Sequence, residues 1–319
     1  MLKIFRTDIF MQSAIILVVA GVMWFGAFAA PQPLTIIGGG QLYYWLMGLI
    51  SPLAGAIIGL ILVLAEGFLL NSMLYRHKLI TQNTLMPMLF YVIAMSVNTP
   101  TLTPIVLGSL LLLLAIDQLM LDSTLLSLSL DKIFGAGASI GLATLFCPAM
   151  AVFFVPMVIT MINYSLYGWR DWTMLVLGAL APYILVETYF YLDDQLFYRN
   201  YLILYNVTDL HLRVGGSWTE WTGSVIFLVT LLAGLGAASV HSQSRTINFK
   251  KNITTILLFV IGSICYAIYT TIIPVPTQAY AIPFACCATS LFIEPKRREF
   301  GSNLLFVLLI LIFIVWRVI

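Results

Sequence analysis

Charged residues are scarce in this chain. Asp, Glu, Lys and Arg make up 9% of its 319 residues, whereas soluble domains carry about 25%. Hydrophobic residues make up 61%, and the mean hydropathy is +1.02. A soluble protein of this composition would expose large apolar patches and aggregate. The composition therefore excludes an ordinary soluble domain and predicts that membrane lipids surround the protein.

Nucleic-acid and metal-binding signals are also lacking. The fifteen Lys and Arg residues form neither a basic face nor a recognition motif, so no nucleic-acid partner is predicted. None of the four cysteines forms a CxxC pair, and the three histidines lie far apart in predicted loops. Because this spacing does not suit a metal site, the sequence predicts neither a metal nor a cofactor.

Long apolar runs dominate the chain instead. A helix needs about twenty apolar residues to cross the hydrocarbon core, and only helices or closed barrels satisfy their backbone polar groups there. We expect an all-α, polytopic transmembrane helix bundle, with residues 1–319 forming a single integral membrane domain. The runs predict about eleven spans, at about 10–30, 46–74, 84–98, 104–120, two within 133–166, 172–192, 221–240, 253–272, 277–293 and 302–317.

Several of these spans are short and paired. Prolines divide three apolar regions, at residues 98–104, 147–148 and 273–276. Proline removes a backbone donor and disfavours helix at the preceding residue, so we expect a tight turn between the two spans of each pair. Short spans suit positions that are buried among neighbouring helices or that line a cavity open to the outside.

Basic residues in the loops predict the orientation. With the N-terminus in the cytoplasm, twelve Lys and Arg residues fall on the inner side and three on the outer side. This asymmetry agrees with the positive-inside rule. It predicts a multi-pass membrane protein with a cytoplasmic N-terminus and an outer loop at about 193–220.

Two glycine pairs, Gly55 with Gly59 and Gly137 with Gly141, have GxxxG spacing. Small residues at this spacing allow close helix contact. We expect them to pack helices within one chain rather than to form a dimer.

Acidic residues gather at the predicted outer end of the span at 172–192. If that helix continues past Leu192, then Glu187, Tyr191 and Asp194 lie on one face. A carboxylate at the outer surface can act as the base of a lipid-linked glycosyl transfer. Glu187 and Asp194 are therefore the candidate catalytic residues, and an aromatic belt with a solvated loop is the alternative interpretation.

Four further residues could complete such a site. Aromatic rings suit sugar binding, and arginine suits a polyprenyl phosphate. The candidate substrate-binding residues are Tyr191, Arg199, Arg213 and Trp218.

Glu66 and Asp117 are the other acidic residues within predicted spans. Ionisable groups are costly in the membrane and often functional. Glu66 lies ten residues before Arg76, which places it about 15 Å deeper. The two residues could share a partner such as Arg76 or Lys132, and a transporter could use them as a coupling site.

The stretch Ser129–Leu192, the opening MLKIFRTDIF and the loop RHKLITQNT resemble a Bacteroidota family of multi-pass membrane proteins of unknown function. The resemblance implies an inner-membrane location and supplies no catalytic residue. The same stretch is distantly similar to C-type glycosyltransferases and O-antigen polymerases, which implies paired short spans. Those transferases place an acidic motif in the first outward loop, whereas PQPLTIIGGG, residues 31–40, contains no acidic residue.

Three functions follow as hypotheses. The leading one is a transferase-like role, in divergent or degenerate form, with a polyprenyl-phosphate-linked glycan of the cell envelope as substrate. The alternatives are a non-enzymatic subunit of an envelope complex, with other membrane subunits as partners, and a small-solute transporter.

Overall fold

A computed structural model describes residues 9–34, 38–80, 84–96, 101–120, 128–194, 213–214, 218–242, 247–270, 272–273 and 281–293. These residues form eleven α-helices, a 3-10 segment at Pro148–Phe153 and one pair of two-residue parallel strands. The helices are α1 Ile9–Ala29, α2 Gln41–Met47, α3 Pro52–Arg76, α4 Met86–Ser96, α5 Pro104–Leu119, α6 Leu130–Phe146, α7 Phe154–Asn163, α8 Trp169–Leu192, α9 Trp218–Ser242, α10 Ile247–Thr270 and α11 Ala281–Ile293. The strands are β1 Arg213–Val214 and β2 Ile272–Ile273.

Four of the described helical stretches are long and apolar enough to cross a membrane. They are Ile9–Ala29, Pro52–Arg76, Trp169–Leu192 and Ile247–Tyr266. The stretches Met86–Ser96, Pro104–Leu119, Pro148–Asn163 and Val225–Gly236 are apolar but shorter. The expectation of a helical membrane protein is met at this level, while the count of about eleven spans stays a prediction. The predicted span at 302–317 lies outside the described residues.

Proline and its capping neighbours set the helix starts that hydropathy could not locate. The predicted span at 46–74 corresponds to α3, which begins only at Pro52, and the first two residues of that prediction belong to the separate helix α2. Ser51 caps α3, because its side chain accepts a hydrogen bond from the N–H of Ala54 at 3.4 Å. Thr103 caps α5 in the same way, and Pro104 follows it. Proline at the first helical position is favoured, since its missing N–H would have no partner there.

Contacts between helices fix their relative directions. The Gln12 side chain accepts a hydrogen bond from the N–H of Leu85, just before α4, and Trp24 donates one to Ser96 at the end of α4. Helices α1 and α4 therefore run parallel. Glu66 and Ser109 are hydrogen-bonded at the middle of α3 and the first half of α5, and Arg76 donates to Asp117 near the ends of both helices. Helices α3 and α5 therefore also run parallel. These directions agree with the predicted alternation of the spans.

Helix α10 runs antiparallel to α7. Tyr164 at the end of α7 meets Asn252 near the start of α10, while Phe153 stacks on Tyr266 nearer the end of α10. The predicted alternation also requires this arrangement.

Helix α4 occupies the centre of the bundle. Ten of its eleven residues are buried. A helix that is apolar on every face lies either in lipid or inside a protein, and eleven residues are too few to cross the hydrocarbon core. Neighbours of α4 include α1, α3 and α11, and Phe90 contacts Phe284 of α11 edge to face.

Glycines bring α6 and α8 into backbone contact. A Cβ atom added at Gly137 or Gly141 would collide with the carbonyl oxygen of Leu175 or Ala179, and one at Gly178 would collide with that of Phe134. The predicted packing role of this glycine pair within one chain is confirmed.

Candidate functional site

The Glu187 carboxyl group lies near the C-terminal end of α8 and is held by a distant part of the chain. The side-chain amide of Gln41 donates to Glu187 Oε1 at 2.8 Å. Gln41 is buried and begins α2, whereas Glu187 is partly exposed. Glu187 precedes the end of α8 by five residues, about 7 Å along the axis. The contact therefore holds a carboxyl group close to one end of the bundle.

Gly40 positions Gln41. The N–H of Gly40 donates to the carbonyl oxygen of Phe146 at 2.8 Å. A Cβ atom at position 40 would collide with the carbonyl oxygen of Leu145. Helix α6 ends at this point, before Pro148, and its last carbonyl groups need partners from outside the helix. Gly40 supplies one of them, and the close approach places Gln41 within reach of Glu187.

Tyr183 extends this polar cluster by one helical turn. It precedes Glu187 by four residues, so the two side chains share a face of α8. The Tyr183 hydroxyl donates to Thr144 Oγ1 at 2.7 Å, and Thr144 donates to the carbonyl oxygen of Gly141 at 2.6 Å. Helices α2, α6 and α8 therefore each contribute polar groups to this end of the bundle.

Asp194 does not share the face of Glu187. Helix α8 ends at Leu192, and Asp194 has a positive φ of 54°. The condition for a continuous Glu187–Tyr191–Asp194 stripe, a helix that runs past Leu192, is not met. Asp194 is exposed beyond the helix end, whereas Tyr191 stays on α8 in the same register as Glu187 with 68% of its surface exposed.

The remaining candidate substrate-binding residues belong to the predicted outer loop. Arg199 lies outside the described residues, and so do the side chains of Arg213 and Trp218. Arg213 begins β1 and Trp218 begins α9.

Glu66 occupies a second, fully enclosed polar site between α3, α4 and α5. The Tyr91 hydroxyl donates to Glu66 Oε2 at 2.8 Å, and Ser109 Oγ lies 3.3 Å from Glu66 Oε1. Sequence reasoning singled out Glu66 but missed both partners. Tyr91 and Ser109 each stand between apolar neighbours in the sequence, which was the available signal.

Asp117 pairs with two basic side chains at the end of α3. Its Oδ2 lies 2.8 Å from Arg76 Nη1, and its Oδ1 lies 2.9 Å from His77 Nε2. Arg76 was expected as a partner that Glu66 and Asp117 could share, and it pairs with Asp117. Glu66 bonds elsewhere, and eight positions of α5, about 12 Å, separate its partner Ser109 from Asp117.

Comparison of the chain with protein-family models, curated proteins and solved structures finds no match. Within the described residues, no group of three or more His, Cys, Asp or Glu side chains is placed to hold a metal ion. Two carboxyl groups, those of Glu187 and Glu66, are hydrogen-bonded to uncharged side chains and have different surroundings. Glu187 is partly exposed at a bundle end, and Glu66 is enclosed at mid-helix.

Gln41 and Gly40 are the members of the Glu187 site that sequence reasoning missed. A local signal existed, because Gln41 follows three glycines and interrupts an otherwise apolar stretch. That signal indicates a close backbone approach, but it does not identify Phe146 or Glu187 as the partner.

Proposed function

We propose that this chain is a multi-pass protein of a bacterial inner membrane, with about eleven spans and a cytoplasmic N-terminus. We propose further that it acts on a polyprenyl-phosphate-linked glycan of the cell envelope as a transferase-like protein. The observation that carries the proposal is the partly exposed Glu187 carboxyl group, held by the buried Gln41 at a bundle end that the basic residues predict to face outward.

A base in glycosyl transfer must be held in a defined orientation and must be reachable by the acceptor hydroxyl group. The Gln41 amide meets the first need, because it fixes one carboxyl oxygen of Glu187. Partial exposure of Glu187 meets the second. The site lies close to the end of α8, where a lipid-linked substrate would present its phosphate and first sugar.

The surroundings suit an amphiphilic substrate. Tyr191 lies one turn beyond Glu187 and is exposed, so its ring is available to a sugar or a prenyl chain. Arg199 and Arg213, in the predicted outer loop, are the proposed phosphate-binding residues, and Trp218 is proposed as a further sugar contact.

The test compares Glu187→Gln with Asp193→Asn in cells that depend on the protein. Both variants remove one carboxylate near the end of α8, but only the first affects the Gln41 site. Polyprenyl-linked glycans are measured by mass spectrometry of lipid extracts, and surface glycans are measured by lectin binding. Loss of a general base lowers rates by about 10²- to 10⁴-fold. We therefore expect Glu187→Gln to deplete the product glycan at a normal protein level.

Asp193→Asn should behave as wild type. If the two variants give the same glycan profile as wild type, the transferase-like role is wrong. In that case, recovery of a fixed membrane partner after mild solubilisation would favour the role of a non-enzymatic subunit.

A further inference from the structure

Glu66 lies near the middle of α3, a helix of 25 residues. It stands fourteen residues after the start of α3 and ten before its end. Its side chain is fully buried, as are those of Tyr91 from α4 and Ser109 from α5. Any charge on this carboxyl group would therefore lie inside the membrane-embedded bundle, away from both ends of α3.

No described cation lies beside Glu66. Helices α1, α4 and α5 pack on α3. Helix α1 contains no titratable residue, α4 contains only Tyr91, and α5 contains only Asp117. Asp117 pairs with Arg76 and His77 near the C-terminal ends of α3 and α5, eight residues beyond Ser109. An ionised carboxylate buried without a countercharge costs several kcal/mol even after relaxation.

The hydrogen atoms in the cluster distinguish an ionised Glu66 carboxylate from a protonated carboxylic acid. The cluster contains two hydroxyl hydrogens, one on Tyr91 and one on Ser109. The Tyr91 hydroxyl lies 2.8 Å from Glu66 Oε2, which makes this carboxyl oxygen its nearest acceptor. Ser109 has its nearest acceptor in its own helix, the carbonyl oxygen of Val106, also at 2.8 Å. Such a bond back to the preceding turn is common for serine in a helix.

Ser109 Oγ then has two oxygen contacts without a hydrogen, one with Glu66 Oε1 and one with the Tyr91 hydroxyl oxygen, each at 3.3 Å. Glu66 Oε1 and Ser109 Oγ lie 3.3 Å apart. With the Ser109 hydrogen on Val106, two oxygens with only lone pairs would face each other. A hydrogen on Glu66 Oε1 converts this contact into a donated hydrogen bond and also removes the buried charge.

We propose that Glu66, Tyr91 and Ser109 form an intramembrane proton-binding site, with the proton carried on Glu66 Oε1 and donated to Ser109 Oγ. Release leaves a carboxylate and a free proton and needs no other reactant. Because the three side chains are enclosed, release requires α3, α4 and α5 to separate. The site is independent of Glu187 and holds whether or not the chain acts on a glycan.

Isotope-edited infrared spectroscopy tests the proposal on the full-length protein in liposomes at neutral pH. The chain contains five glutamates, so ¹³C-labelling of the glutamate carboxyl groups isolates their bands from those of aspartate. We expect a C=O stretching band of a protonated carboxylic acid in the wild type. Glu66→Gln should remove this band, and Glu187→Gln should leave it in place.

Tyr91→Phe provides a second measurement on a variant that keeps the carboxyl group. It removes the bond to Oε2 but not the proton on Oε1, so the acid band should persist and move to higher frequency. Absence of an acid band in the labelled wild type overturns the proposal. An acid band that Glu66→Gln leaves unchanged also overturns it, because the band then comes from another glutamate. Loss of a carboxylate band in Glu66→Gln overturns it as well, because Glu66 would then be ionised and paired with a bound cation.

Discussion

The backbone N–H of Gly40 donates to the carbonyl oxygen of Phe146 at 2.8 Å, across more than one hundred positions of sequence. This bond joins the start of α2 to the proline-induced end of α6. It also determines where the Gln41 side chain lies, and Gln41 in turn holds Glu187. Gly40 therefore fixes the start of α2 against the end of α6, and this places Gln41 beside Glu187 in the candidate site.

Gly40→Ala should destabilise the protein. The added methyl group collides with the carbonyl oxygen of Leu145, so α2 has to move away from α6. Overpacking of this kind costs about 1–3 kcal/mol. The midpoint of thermal unfolding in mild detergent, followed by size-exclusion chromatography of heated samples, should fall.

Gly21→Ala is the matched control for this change. An added Cβ atom meets nothing within 4 Å at Gly21, and alanine stabilises a helix interior by about 0.5–1 kcal/mol relative to glycine. Equal midpoints for the Gly40 and Gly21 variants would contradict the close contact at Gly40.

Gly141→Leu should separate α6 from α8. The larger side chain has to displace the backbone of Ala179, which cannot be relieved by a change of rotamer. We expect loss of the monodisperse species on size-exclusion chromatography, with the Tyr183–Thr144 bond broken as well. The same substitution at Gly26 of α1, where an added Cβ atom meets nothing within 4 Å, should leave the elution profile unchanged. A normal profile for Gly141→Leu would show that the two helices are not in backbone contact.

Double-mutant cycles should rank the two partners of Asp117. Arg76 has a side chain that is 57% exposed, and an ion pair screened in this way couples by about 0–1 kcal/mol. His77 is 1% exposed, so its bond to Asp117 is shielded from solvent. Alanine substitutions and unfolding in mixed detergents should give a larger coupling energy for His77 with Asp117 than for Arg76 with Asp117. The Arg76 coupling should also weaken in high salt. The reverse order would contradict the burial of His77.

Reporter fusions should settle the orientation that the basic residues predict. Alkaline phosphatase fused after Asp194 should be active, because this position is predicted to lie outside. The same enzyme fused after Lys78 should be inactive, while green fluorescent protein fused there should fluoresce. Activity of the Lys78 fusion together with inactivity of the Asp194 fusion would invert the topology.

Much of the helix layout followed from the sequence because apolar runs and prolines are local signals. Breaks at Pro104 and Pro148 were predicted, and the described helices begin or end there. The span predicted at 172–192 ends at the same residue as α8, Leu192. Whether the helix continued beyond Leu192 could not be predicted, because nothing local in Leu192 or Asp193 forbids another helical turn. The Asp194 backbone adopts a left-handed conformation that aspartate tolerates, and this ends the helix before the expected stripe is complete.

The partners in the two carboxyl sites could not be predicted for a different reason. Gln41 and Glu187 lie 146 positions apart, and their contact depends on the rotation of three packed helices about their axes. An apolar transmembrane helix gives little periodic signal for that rotation, because lipid and protein interior select the same residue types. Polar residues such as Tyr91 mark the buried side only after the neighbouring helices have been placed.

The central position of α4 has a consequence for how the protein is made. Phe90 of α4 contacts Phe284 of α11, so the chain synthesised early is covered by the last helix that the structure describes. During translation α4 emerges long before this cover exists. The nascent bundle has to hold an eleven-residue helix in an unfinished core until α11 has been synthesised, and a chain cut short before α11 would expose that core to the insertion machinery and to membrane proteases.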